Sequence, residues 1–193
     1  DPMGKRTVIL INLIGVLGLC FILCGAYVVQ FVWHEFPCPL CLLQRMCVLG
    51  VAFGLMLNLR NGIKPAHYAI SLLSALVGAG IATRQVLLHI VPRPGDNGYG
   101  SPILGLHLYT WCLLILLASM ACIALLLFAD KQFDGTAQVS SFVPRSMISA
   151  IRVTCWLLLL LCVSNFVIAF LECGFGPCPD DPVEYQVLHG RFF

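Results

Sequence analysis

The chain has 193 residues, of which 60% are hydrophobic and only 10% charged, a composition too apolar for a water-soluble domain of this size. A formal net charge of +2, without a basic run or interleaved aromatics, excludes a nucleic-acid binder. Eleven cysteines lie mostly within apolar runs, where Cys acts as a small hydrophobe, so they do not read as the disulfide framework of a small secreted domain.

Asp1-Pro2 ahead of Met3 reads as an appended remnant and is set aside. The first apolar segment, about residues 7–30, is long enough at roughly 1.5 Å per residue to cross a hydrocarbon core of about 30 Å. It exceeds the roughly 7–15 apolar residues of a cleaved signal. A short loop, 31–37, leads to Pro37-Cys38-Pro39-Leu40-Cys41 and a second span over 42–59. The turn at 60–65 returns the chain into a third span, 68–90. A Gly- and Pro-rich loop, 91–105, precedes a fourth span at 106–128. The polar stretch 129–144 separates this from a fifth, 148–171, and the tail carries Cys173-Gly174-Phe175-Gly176-Pro177-Cys178. The expected fold class is an all-α integral membrane protein with five spans.

Orientation follows from the basic residues near the span ends. With the N-terminus cytoplasmic, that side holds Lys5, Arg6, Arg60, Lys64, Lys131, Arg145 and Arg152, against Arg45, Arg84, Arg93 and Arg191 opposite. The Cys38–Cys41 pair, the 91–105 loop and the C-terminal tail then share one outer compartment. In a bacterium this is the periplasm, reached from a multi-pass protein of the inner membrane, and disulfides persist there.

Cys38 and Cys41 open a helix, which predicts an easily ionised second sulfur near its positive end. Arg45 follows Cys41 by one turn, on the same face, so its guanidinium is placed to reach that sulfur or an anion beside it. The plainer role for Arg45 is snorkelling to lipid phosphate. Cys20 with Cys24 and Cys155 with Cys162 fall one and two turns apart inside spans and read as packing residues, as do Cys47, Cys112 and Cys122. Trp33, Tyr109 and Trp111 fit an interfacial aromatic belt, and His89 and His107 read as interface residues.

Pro-Cys-Pro-Leu-Cys-Leu-Leu-Gln-Arg after a first span resembles the first periplasmic loop of the DsbB family, quinone-coupled membrane oxidases of the disulfide carrier DsbA. The likeness covers the first four spans, with Arg84-Gln85 late in span three and Leu104-Gly105-Leu106 before span four. It implies a four-helix bundle over 1–128 that binds ubiquinone or menaquinone near Cys41, Arg45, Arg84 and Gln85. A cytoplasmic loop at 129–147, a fifth span at 148–171 and a periplasmic tail at 172–193 would follow. The implied partner is a DsbA-like periplasmic carrier of thioredoxin fold, besides quinone and membrane lipid.

Two departures stand out. The 91–105 loop holds no cysteine, where familiar members carry a second pair, and a fifth span is added. The expectation is that the shuttle pair has moved to Cys173 and Cys178. Cys178 lies seven residues beyond Leu171, a reach of roughly 20 Å, whereas neighbouring helices pack about 8–10 Å apart. A structural staple in the tail stays open beside the shuttle role. The competing functions are a vitamin K epoxide reductase-like oxidoreductase, whose dithiol usually comes late in the bundle, a soft-metal-binding membrane protein, and a disulfide-stapled scaffold without turnover.

Overall fold

The computed structural model describes residues 2–91, 98–133, 143–180 and 182–190. Arg93 and Arg191, counted above for orientation, lie outside these, as do residues 92–97 and 134–142 of the two loops. Among the described residues five helices are long and apolar enough to cross a membrane: α1 (Pro2–Val32), α2 (Pro39–Asn61), α3 (Pro65–Leu88), α4 (Leu108–Leu127) and α5 (Arg145–Cys173). They occupy the five expected spans, and the protein is an all-helical integral membrane protein.

The boundaries have local causes. Pro39 and Pro65 sit in the first turns of α2 and α3, where a missing N–H removes no helical bond. Cys38 caps α2, its sulfur accepting the Cys41 N–H at 3.1 Å. The start of α4 is delayed to Leu108 because Ile103 and Leu106 exchange backbone hydrogen bonds across a two-residue turn. That turn needs positive φ at Leu104 (52°) and Gly105 (81°). At the far end of α5, Gly174 (φ 61°) returns its N–H to the Phe170 carbonyl.

In the bundle, α2 is the hub. It packs against α1, α3 and α5, with α4 packed on α3 and also touching α2. The α2–α3 seam is the closest. Gly50 and Gly54 are four residues apart on one face of α2, a spacing that lets helix backbones approach. A Cβ on Gly54 would stand 2.5 Å from the His67 carbonyl and 2.9 Å from the Ser71 nitrogen, and one on Gly50 would strike Ser74. The opposite faces carry exposed Phe21, Leu73, Leu125, Trp156 and Phe166, as expected of helices solvated by lipid rather than water.

At the end of the bundle away from Cys38, buried polar side chains join four elements. Asn12 donates to Tyr68 Oη (2.9 Å), Asn58 donates to Asn12 (3.1 Å), and His67 Nδ1 lies 3.0 Å from Asn58 Oδ1. Tyr68 in turn donates to Gln132 (3.1 Å), in the short 3-10 helix Asp130–Phe133. Each polar atom in apolar surroundings demands a partner, so this network sets the register of α1, α2 and α3.

Gly54→Leu should therefore separate α2 from α3 and destabilise the fold by about 1–3 kcal/mol or more, whereas Gly80→Ala, where nothing lies within 4 Å of the added atom, should change stability by less than about 1 kcal/mol. Reversible unfolding by denaturing detergent in mixed micelles, monitored by circular dichroism, measures both.

Candidate functional site

The site forms where the second helix begins. Cys38, the cap residue, is buried, and Cys41 stands one turn in. Both are free thiols, bridged by an amide from α3: Gln85 Nε2 lies 3.2 Å from Cys38 Sγ and 3.6 Å from Cys41 Sγ. Gln85 is itself oriented by Gln44, whose Nε2 donates to Gln85 Oε1 at 2.6 Å. The Cys41 N–H, at the helix terminus, points at the Cys38 sulfur. The Cys38 thiol is nevertheless pushed up, by the hydrogen bond it shares with Cys41 and then by burial, so it is the sulfur that keeps its proton.

Arg45 is 9% exposed, too enclosed to snorkel to lipid phosphate. Its Nη1 donates to Gln30 Oε1 (2.7 Å), its Nη2 to the Ala26 carbonyl (3.3 Å), and its guanidinium lies 5.1 Å from the Tyr27 ring centroid. The side chain thus turns toward α1 and does not bond the Cys41 sulfur.

Cys41, Gln44 and Arg45 form the floor of a cavity of about 120 Å³ walled by Ile22, Ala26 and Val29 of α1 and by Leu108, Trp111, Cys112 and Ile115 of α4. An apolar cavity of roughly 150 Å³ accepts a benzene ring, so this one has the scale of a single flat ring. Glu35, Phe36, Tyr99 and Gly100 close its loop end. That lid is held by Tyr99 Oη donating to the Phe36 carbonyl (2.7 Å) and by Glu35 accepting the Ser101 N–H (3.1 Å) and the Ser101 hydroxyl. The 98–107 segment therefore caps the cavity. Trp111 fixes it by donating to the Ile103 carbonyl (2.9 Å). Tyr109 is buried between the rings of His89 and His107, so it belongs to the lid's support rather than to an exposed belt. A second apolar groove continues between α1 and α4 along Gly15, Gly18, Ala118 and Ile123, sharing Ile22 and Ile115 with the first.

The tail lies at this same end. Cys173 and Cys178 are joined in a disulfide. Beyond them Tyr185 packs edge-on against Phe36 (5.0 Å) and accepts a hydrogen bond from Gln30 Nε2 (3.0 Å). Gln30 thereby links the tail to Arg45. Arg84 is apart from this group: it is exposed and does not line the cavity. Gln30, Gln44 and Tyr185 are members that sequence reading does not single out. The signal for Gln30 is a polar side chain at the end of an apolar run. Among the described residues no three His, Cys, Asp or Glu side chains converge as a metal site would require.

Because Gln85 is the amide donor common to both sulfurs, Gln85→Leu should lower the thiolate fraction of Cys41 and slow its alkylation at neutral pH by roughly tenfold, the loss of a hydrogen bond to a charged group. Stopped-flow labelling in a Cys38→Ser background measures this.

The family model for Disulfide bond formation protein DsbB matches residues 6–98. Disulfide bond formation protein B 2 of Burkholderia lata is 36% identical over 69 residues, covering 35% of this chain and 41% of the relative. Disulfide bond formation protein B of Xanthomonas euvesicatoria is 32% identical over 96 residues, 47% of this chain and 56% of the relative. That of Stutzerimonas stutzeri is 36% identical over 85 residues, covering 41% and 51%. The chain thus spans about half the length of the curated relatives it matches, and no solved structure is significantly similar to it. The matched region contains Cys38, Cys41, Arg45 and Gln85 and stops before α4, so α5 and the tail lie beyond it. Residues 6–98, with the paired thiols at the head of the second helix, are thus similar to the DsbB family.

Proposed function

We propose that this protein is a quinone-dependent thiol oxidase of the bacterial inner membrane, which reoxidises a DsbA-like periplasmic carrier of thioredoxin fold and passes the electrons to ubiquinone or menaquinone. The observation that carries this reading is Cys41 and Arg45 on the floor of one ring-sized cavity, open between apolar helices α1 and α4. The residues fit such a group. The cavity takes a flat ring, Arg45 and Gln44 supply polar contacts for carbonyl oxygens, and the groove beyond Ile22 and Ile115 suits a prenyl tail. When bound, the quinone supplies a two-electron, two-proton acceptor.

The chain's own residues do the rest. A carrier thiolate attacks the Cys173–Cys178 disulfide, and the freed tail thiolate then attacks a Cys38–Cys41 disulfide. Each exchange passes through a mixed disulfide and leaves a dithiol behind. Cys41, which faces the cavity, is the sulfur that hands electrons on, while Cys38 closes the disulfide. Gln85 holds both sulfurs through one amide, and Arg45 sets a positive charge beside them. Cys38 is buried, so exchange with the tail proceeds from a form in which the 31–37 loop has lifted. The tail's contact with Phe36 and Gln30 places it beside that loop. The basic residues favour the N-terminus in the cytoplasm and this end in the periplasm.

Cys41→Ser should abolish quinone reduction by a reduced carrier, read as loss of quinone absorbance. Retained turnover would remove the basis of the proposal. Cys173→Ser should leave quinone reduction by a small dithiol intact but block carrier oxidation, and normal carrier turnover in that variant would make the tail disulfide a structural staple.

A further inference from the structure

Tyr185 is half-buried on the C-terminal tail, at the start of the short 3-10 helix Gln186–His189 that packs on α5. It touches the thiol end of the bundle twice. Its ring packs edge-on against Phe36 (5.0 Å), and its Oη accepts a hydrogen bond from Gln30 Nε2 (3.0 Å). Both neighbours lead to the cavity. Phe36 lines its loop end, two residues before Cys38, with its carbonyl held by the Tyr99 hydroxyl (2.7 Å). Gln30 is 4% exposed, and its Oε1 accepts from Arg45 Nη1 (2.7 Å) on the cavity floor.

The direction of the Gln30 amide follows from its partners. A guanidinium donates and cannot accept, so Arg45 requires Oε1 to face it, and that turns Nε2 toward the tail. A buried amide donor needs an acceptor, which Tyr185 supplies. The other bond from Arg45, Nη2 to the Ala26 carbonyl, is longer at 3.3 Å, so the Gln30 contact is the shorter of the two that fix the guanidinium. We infer that Tyr185 is a positioning residue for the cavity: through Gln30 it sets the direction of the Arg45 guanidinium, and through Phe36 it holds the loop end in place. The inference rests on the cavity receiving a ring of the quinone class, as proposed above. Such a ring is then held tightly only while the tail is docked. The tail's other anchor is the Cys173–Cys178 disulfide, which ends seven residues before Tyr185. The segment that a thiol carrier attacks is therefore also the one that shapes the cavity. By linkage, a docked tail strengthens ring binding, and ring binding favours the docked tail to the same degree.

Full-length protein in detergent, with the tail disulfide intact, tests this in two ways. Nitrogen-15 NMR of the arginine side chains, recorded without quinone and with Arg45 identified by its loss in Arg45→Lys, should show separate Nη1 and Nη2 resonances in wild type, as a held guanidinium gives. They should merge in Tyr185→Phe, which keeps the ring against Phe36 and removes only the hydroxyl. Quenching of tryptophan fluorescence by a ubiquinone with a single prenyl unit should show about tenfold weaker binding in Tyr185→Phe, the scale of one lost hydrogen bond. Gln30→Leu should weaken binding similarly, and Tyr185→Phe added to it should have little further effect, because both act through one bond. A tyrosine that only packs the tail down would leave the Arg45 resonances separate and would add to Gln30→Leu; either result overturns the inference. So does a single averaged Arg45 signal in wild type, whether or not the variants fold, and so does equal affinity in wild type and Tyr185→Phe, while loss of quinone reduction in Cys41→Ser would leave the thiol oxidase reading standing. Wild-type protein that binds no probe counts against that reading, and the Arg45 resonances then decide by themselves whether Tyr185 positions the guanidinium.

Discussion

The burial of one guanidinium governs the architecture around it. An Arg within a membrane-spanning helix costs about 2.5–3.5 kcal/mol at the bilayer centre unless the protein solvates it. Arg45 is solvated by the end of α1, through Gln30, the Ala26 carbonyl and the Tyr27 ring. That requirement draws α1 against the head of α2. It leaves α1 and α4 as separate walls over the α2 surface, and the space between them is the cavity. Without the Arg45 contacts, this end of α1 would lose its polar tie to α2, leaving the Asn12 network at the other end to position the helix.

The two ends of the bundle use polar groups differently. Away from Cys38, Asn12, Asn58, His67, Tyr68 and Gln132 are paired with one another, and such a closed network holds register. At the thiol end, the polar groups converge on the paired sulfurs and the cavity: Gln85 reaches both sulfurs, and Gln44 and Arg45 line the cavity with Cys41. The tail joins this end through Tyr185, so its disulfide and the helix-capping thiols sit in one neighbourhood although more than a hundred residues separate them.

Much of this was legible from the chain alone. Five apolar runs of sufficient length set five helices, because lipid offers the backbone no other way to satisfy its hydrogen bonds. The Pro-Cys-Pro-Leu-Cys pattern located the dithiol at a helix start, since Pro is tolerated in the first turn and ends whatever precedes it. Less legible was the direction of Arg45. Helical spacing placed it on the Cys41 face, but a long side chain chooses among partners that only packing supplies, and Gln30 lies fifteen residues away. The same reason separates Arg84 from Gln85: adjacent helical positions differ by about 100°, so Gln85 enters the bundle while Arg84 is exposed.

What the sequence by itself determined, then, is the number of spans, the class of the fold and the place of the Cys38–Cys41 pair at a helix start, because each follows from local periodicity or from a short contiguous motif. Only the tertiary structure decided that Gln85 and Gln44 line up on the sulfurs, that α1 and α4 leave a ring-sized gap, and that Gln30 joins Arg45 to Tyr185 of the tail. These depend on which helix faces which, and in a bundle whose outer surfaces are uniformly apolar the hydrophobic pattern carries little information about facing. Buried polar pairs and close glycine contacts make that choice, and they are properties of two segments at once.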